Sequence, residues 1–169
     1  MRLKQTFFYS AALLVSLTGC GGGGGGETAG GAPAGGSTAT NAVTMAGAVI
    51  DGYIVGATVC LDLNNNYACD VTEPSAVSGV DGAYTFEVTG DIPAGTQILA
   101  DIPITATDQD LGPIQKAYNM MAPYDNPEVV TPLTTLVSQE IVSSGGEITA
   151  EQAELSVKLA LGIDSDTDL

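Results

Sequence analysis

From residue 43 onward the chain alternates short apolar runs with breaks made of glycine, proline and aspartate. Residues 43–50 are rich in strand-forming side chains and stop at Asp51-Gly52. Residues 53–55 form a shorter run ended by Gly56, and 58–61 lead into a polar stretch. Beyond it come 75–78, a second break at Asp81-Gly82, and 83–88, in which Tyr84 and Phe86 stand two apart and so share a face. Residues 97–104 make a further apolar run with Pro93 and Pro103 at its margins. Short runs punctuated by Asp-Gly turns predict strands of an antiparallel sandwich.

The period changes near the end of the chain. Thr131-Pro132 is a helix start, because proline at the first helical position gives up an amide that would be unpaired anyway. Leu133, Leu136, Val137 and Ile141 then recur at helical spacing until Gly145-Gly146. A second start follows at Thr149, with Gln152 completing a capping-box pattern. Val157, Ala160 and Leu161 are the expected apolar face of that helix, and Gly162 its C-terminal cap. The expected class is therefore mainly β: a small antiparallel sandwich with a short C-terminal helical segment.

Before residue 43 the composition is different. Residues 21–26 are six consecutive glycines, and Gly, Ala, Ser and Thr dominate to about Asn41. Nothing there repays the entropy of ordering, so a flexible tether is expected, with a span on the order of 25 Å. At the very start, Arg2 and Lys4 precede an apolar run over 7–17 that is too short to cross a bilayer, the pattern of a cleaved secretory signal. The run ends in Leu17-Thr18-Gly19-Cys20, which resembles the lipobox of bacterial lipoproteins. That resemblance implies cleavage before Cys20, a thioether lipid on Cys20, an acylated N-terminus and a membrane as partner. Gly21, where an inner-membrane lipoprotein usually has Asp, implies outer-membrane sorting, with the domain facing the periplasm or the exterior. The expected organisation is a signal over 1–19, the lipidated cysteine and tether over 20–42, the sandwich over 43–106, an irregular or extended connection over 107–130, and two helices with an acidic tail over 131–169.

Charge and cysteine count narrow the chemistry. The net charge is −16, from 4 Lys and Arg against 20 Asp and Glu, and losing Arg2 and Lys4 with the signal makes the remainder more acidic. Phosphate backbones need cationic partners, so no nucleic acid is expected. Lipidation of Cys20 would leave only Cys60 and Cys69 of the 3 cysteines, and an oxidising compartment favours their pairing. Closing so short a loop contributes about 2.5–3 kcal/mol on the chain-entropy model. A zinc site is the rival, but it needs more Cys or His ligands, and the chain has no His.

From Cys60 through Cys69 to Glu73 the sequence reads CLDLNNNYACDVTE. With Asp62 as the first position of a twelve-residue calcium loop, Asn64 and Asn66 fall at three and five, Ala68 at seven, Asp70 at nine and Glu73 at twelve. Alternate side chains of a tight loop turn inward, a backbone carbonyl serves at Ala68, and a carboxylate at twelve can use both oxygens. Oxygen donors in that number suit Ca²⁺ better than Mg²⁺. Position six usually calls for glycine and here is Tyr67, which at positive φ costs on the order of 1 kcal/mol. No helix precedes the loop, so it is not a paired-helix hand, and a merely polar turn is the other reading.

Gly56-Ala-Thr-Val-Cys-Leu-Asp62, the Asn-rich loop, Glu73-Pro74-Ser75 and Asp81-Gly-Ala-Tyr-Thr-Phe86 together resemble a bacterial surface module. It is similar to the B-type repeat of serine-aspartate-repeat adhesins and to carboxypeptidase-regulatory-like domains. The resemblance covers about 43–102 and implies an Ig-like or prealbumin-like sandwich, with ion-ligating roles at Asp62, Asn64, Asn66, Asp70 and Glu73. The glycines of that pattern are missing at Tyr67 and Thr72. Residues 130–137 and the Leu161-Gly-Ile region resemble a segment that follows this module in large surface lipoproteins, which implies that the chain is part of a longer protein.

These features point to a lipid-anchored surface module with a structural or adhesive role, and a glycan or surface protein as partner. The alternative is a carbohydrate-binding module, with Tyr53, Tyr67 and Tyr84 as candidate platforms. An enzyme is not expected: without His the usual acid–base switch is missing, and no carboxylate spacing singles out an acid and a base. Asp108, Asp110, Asp164, Asp166 and Asp168 are expected on a solvated acidic face.

Overall fold

The computed structural model describes residues 42–167 and Leu169. The expected signal, Cys20 and the glycine-rich stretch up to residue 41 lie outside the described residues. The strands are β1 (Ala42–Val49), β2 (Ile54–Val55), β3 (Thr58–Asp62), β4 (Ser75–Val77), β5 (Ala83–Thr89), β6 (Gln97–Ile102), β7 (Thr107–Asp108), β8 (Gly112–Pro113), β9 (Tyr118–Pro123) and β10 (Val129–Val130). Two helices follow, α1 (Pro132–Ser143) and α2 (Ala150–Leu161). Among the described residues no helix is long and apolar enough to cross a membrane.

The strands form one sheet in the order β10-β1-β5, a second in the order β4-β3-β6-β9, and a small third, β2-β7-β8. Pairing is antiparallel except between β1 and β10, which run parallel. Period-2 alternation turns Met45, Val49, Tyr84, Phe86 and Val88 of the first sheet inward. Val59, Leu61, Ile98, Ala100, Ile102, Met120 and Ala122 of the second sheet enter the same buried cluster. The two sheets therefore share one core between them, in the manner of a sandwich.

The second sheet is covered on its outer face as well. Cys60, Leu99 and Met121 alternate with the core residues and form a separate buried cluster against Cys69. Helix α1 meets the open edge of the sheet at β9. Thr134 Oγ1 donates to the Met121 carbonyl at 2.9 Å, and the Met121 amide donates to Thr135 Oγ1 at 2.9 Å. Those two backbone groups would otherwise be unpaired at a sheet edge. The same Thr134 completes a reciprocal cap with Thr131, so one residue both starts the helix and seals the strand.

Several expectations are corrected here. The sheet does not end at 106: β9 is the outer strand of the four-stranded sheet, paired with β6 over Gln97–Ile102, and β10 pairs with β1. Half of residues 107–130, expected as an irregular or extended connection, is thus strand. Met120 and Met121 carry little intrinsic strand preference and Pro123 closes the run, which hides the strand from a propensity reading. Asp81-Gly82 does not join a hairpin. Both residues have positive φ, 57° and 67°, and the turn carries the chain from the second sheet to the first. Glycine is required at 82, since a Cβ there would stand 2.3 Å from the Val49 carbonyl oxygen.

In the helices, Val137, Ile141, Ala153 and Val157 form the shared core. Leu133 and Leu136, expected inside, are exposed, as are Ala160 and Leu161. Small polar Thr134 and Ser138 take inward positions of α1: Thr134 bonds the sheet edge at Met121, while the buried Ser138 Oγ has no hydrogen-bond partner among the described residues. The second capping box, Thr149 with Gln152, and the left-handed Gly162 (φ 69°) stand where the sequence puts them.

Candidate functional site: the disulfide-closed loop

Strand β3 brings Cys60 and Asp62 to the same, outer face of the second sheet, one residue apart by alternation. The chain then leaves the sheet for residues 63–74 and returns in β4, where Ser75 pairs with Cys60. Cys69 turns back over β3 and bonds to Cys60, with a Cα–Cα distance of 5.6 Å. The bridge pins the middle of the connection to the sheet. Cys60 is fully buried and Cys69 half-buried.

Within the loop, acidic and amide side chains fold the backbone around themselves. Asp62 is only 1 % exposed, and its oxygens accept from the Asn66 amide at 3.1 Å and the Tyr67 amide at 2.9 Å. Asn64 Oδ1 accepts from the Asn66 amide and Asn66 Oδ1 from the Ala68 amide, at 3.0 and 2.9 Å. Both Asn side chains donate through Nδ2 to the same Asp70 oxygen at 2.9 Å. Glu73 fastens the base of the loop: its two oxygens accept from the Leu63 and Asp70 amides at 2.9 and 3.0 Å. Asn119, reaching from β9, donates to the Tyr67 carbonyl at 3.1 Å.

The loop turns sharply where the residue count requires it. Tyr67 has φ 61° and Asn65 has φ 54°, both in the left-handed region. Asparagine tolerates that conformation, while tyrosine does so at a cost of about 1–2 kcal/mol. The Tyr67 amide's bond to Asp62, the Asn119 side chain's bond to the Tyr67 carbonyl and the neighbouring disulfide hold Tyr67 there.

Asp62, Asn64, Asn66 and Asp70 are therefore brought together, and Ala68 lies on the same turn. Glu73 is turned to the backbone at the loop base. Among the described residues, no group of three or more His, Cys, Asp or Glu side chains is arranged to hold a metal ion. A carboxylate or amide oxygen has two lone pairs. One hydrogen bond to each Asp62 oxygen and to each Asn Oδ1 leaves that atom able to accept again. The donor set is all oxygen, which is the chemistry a hard cation takes.

Elsewhere the structure redistributes the candidates. Tyr84 is buried, donates to the Pro127 carbonyl at 2.5 Å, and has its ionisation pushed far up by desolvation, so it offers no surface platform. Tyr53 and Tyr67 are exposed. Asp108 is buried rather than solvated, and its Oδ1 accepts from the Asp110 and Leu111 amides at 2.8 and 2.9 Å. Asp110, Asp164 and Asp166 are exposed, and Asp168 lies outside the described residues. Asn119 and the Thr134–Thr135 pair were not singled out by sequence, because their work is done across strands and no local spacing announces it. Comparison with protein-family models, curated proteins and solved structures returned no match.

Proposed function

We propose that this chain is a lipid-anchored cell-surface module with a structural or adhesive role, an Ig-like or prealbumin-like sandwich whose disulfide-stapled loop takes up Ca²⁺. The observation that carries the reading is the loop itself. Four oxygen-bearing side chains at alternating positions are drawn together, and the turn at Tyr67 already has the left-handed conformation that such a loop requires. Asp62, Asn64, Asn66 and Asp70 would hold the ion with the Ala68 carbonyl, while Glu73, bonded to the Leu63 and Asp70 amides, fixes the base of the loop. The ion supplies positive charge between the Asp62 and Asp70 carboxylates. Everything else is done by the chain: the Cys60–Cys69 bridge limits how far the loop can open, and Asn119 ties its tip to β9.

Attachment to the outer membrane rests on the sequence Leu17-Thr18-Gly19-Cys20, and the acidic surface suits display in a medium of millimolar calcium. The loop presents no acid–base pair and no group aimed at a reacting centre, which supports a stabilising role over a catalytic one. Isothermal titration with Ca²⁺ tests the loop directly. One site per chain is expected, with a dissociation constant on the order of 10⁻⁴ M, as in extracellular modules. The heat should vanish in Asp70→Ala. A flat titration of the unaltered protein, or equal heats in that variant, would remove the ion from the account.

A further inference from the structure

The helical hairpin and the second sheet leave two adjoining depressions between them, of about 180 and 200 Å³. Both border Gly95 and Gly146, and the second extends to Asn65 of the loop. The two glycines face one another: a Cβ on either would lie 3.8 Å from the other's Cα, an ordinary contact distance. Both have positive φ, 79° and 78°, so neither position readily accepts a side chain.

The first depression has a particular chemistry. Half-buried Tyr124 and Ile148 line it, with Ile141 only 5 % exposed beside them. Asp125 is exposed and offers carboxylate acceptors. Gln97 lies in the floor, 2 % exposed, with Nε2 donating to the Gly95 carbonyl at 3.0 Å. That bond fixes the amide orientation and leaves Oε1 a buried acceptor without a partner. The exposed Asp125 carboxylate makes the depression favour hydrogen-bond donors. Neither depression is lined by Lys or Arg, so an anionic ligand would meet only carboxylate.

We propose that the first depression binds one ring of a neutral sugar. The C–H face of a pyranose is matched by Tyr124 and Ile148, and its hydroxyls are matched by the exposed Asp125 carboxylate. Tyr53 and Tyr67, the exposed platforms of the carbohydrate-binding alternative, line neither depression. Binding here is independent of the ion in the loop, because Asp62 and Asp70 line neither depression.

Saturation-transfer NMR with glucose, galactose, mannose and N-acetylglucosamine, and with short oligomers of each, tests the site in EGTA. Transfer from at least one neutral sugar is expected. Asp125→Ala and Tyr124→Leu should each weaken it at least about tenfold, the loss of roughly one good contact, and Asp125→Ala should leave the melting midpoint unchanged because the residue is exposed. Transfer from none of the panel would overturn the proposal. So would binding undiminished in both variants, or a preference for glucuronate over glucose. Transfer that disappears in EGTA would move the site to the calcium loop and equally overturn it.

Discussion

Tyr67 carries much of the strain in the loop and little of its packing. Its backbone sits at φ 61°, its side chain is 43 % exposed, and its amide and carbonyl are both bonded. Glycine adopts that conformation freely, so Tyr67→Gly should stabilise the folded loop by up to about 1 kcal/mol, less the greater entropy glycine gains when unfolded. It should also tighten Ca²⁺ binding. Paired chemical denaturation and calcium titration of the variant check both; a weaker ion affinity with unchanged stability would contradict the placement of the turn. At this scale the sequence was informative. The spacing of Asp62, Asn64, Asn66 and Asp70 gave the loop, and Cys60 with Cys69 gave the bridge that the structure contains. What spacing could not convey is that Glu73 would be occupied by the Leu63 and Asp70 amides, since that depends on where the two ends of the loop meet.

Among the elements, helix α1 is fastened to β9 by hydroxyls as much as by apolar contact. Thr134 Oγ1 donates to the Met121 carbonyl and also accepts from the Thr131 amide at 2.8 Å. Thr134→Val keeps the shape but leaves both backbone groups without their partner, at a cost of about 1–3 kcal/mol. Thr134→Ser, which retains the hydroxyl, should recover most of that loss. Urea denaturation of the pair distinguishes them, and equal stability of the two variants would mean that the hydroxyl contributes nothing. The helices were legible because capping residues are local: Thr131-Pro132, Thr149 with Gln152, and Gly162 mark their own ends. Their buried faces were less so. Leu133 and Leu136 belong to the apolar pattern of α1, yet both are exposed, and Thr134, which bonds the sheet edge, lies inward instead. Strand β9 escaped notice for the related reason that its methionines take their strand form from β6, to which they pair.

For the molecule as a whole, two tyrosines tie stability to alkaline pH. Tyr118 donates to Asp51 at 3.0 Å, and burial, that hydrogen bond and the charges of Asp51 and Asp108 push its pKa up to about 12 from 10.0. Burial pushes Tyr84 up further. A phenol whose folded pKa is raised contributes stability that is complete below the unfolded value and is lost as pH rises through the folded one. The melting midpoint should therefore fall between about pH 10 and 12 and keep falling above that range, where Tyr84 still resists ionisation. Tyr118→Phe should flatten the first part of that fall. A variant that tracks the unaltered protein through this window would dissociate the effect from Tyr118.

The two sheets close over a core drawn from both, the loop and the bridge lie on the outer face of the second sheet, and α1 is fastened at its β9 edge. That face is where an ion would couple to global stability, because Asp62 extends directly from β3 and Asn119 from β9. The most direct test is the melting midpoint in millimolar Ca²⁺ and in EGTA, for the unaltered protein and Asp70→Ala. An ion at ten times its dissociation constant contributes about 1.4 kcal/mol, or about 3–6 °C for a domain of this size. The unaltered protein should melt higher in calcium by about that amount and Asp70→Ala should not respond. Identical midpoints in the two media, or the same shift in both proteins, would contradict the account.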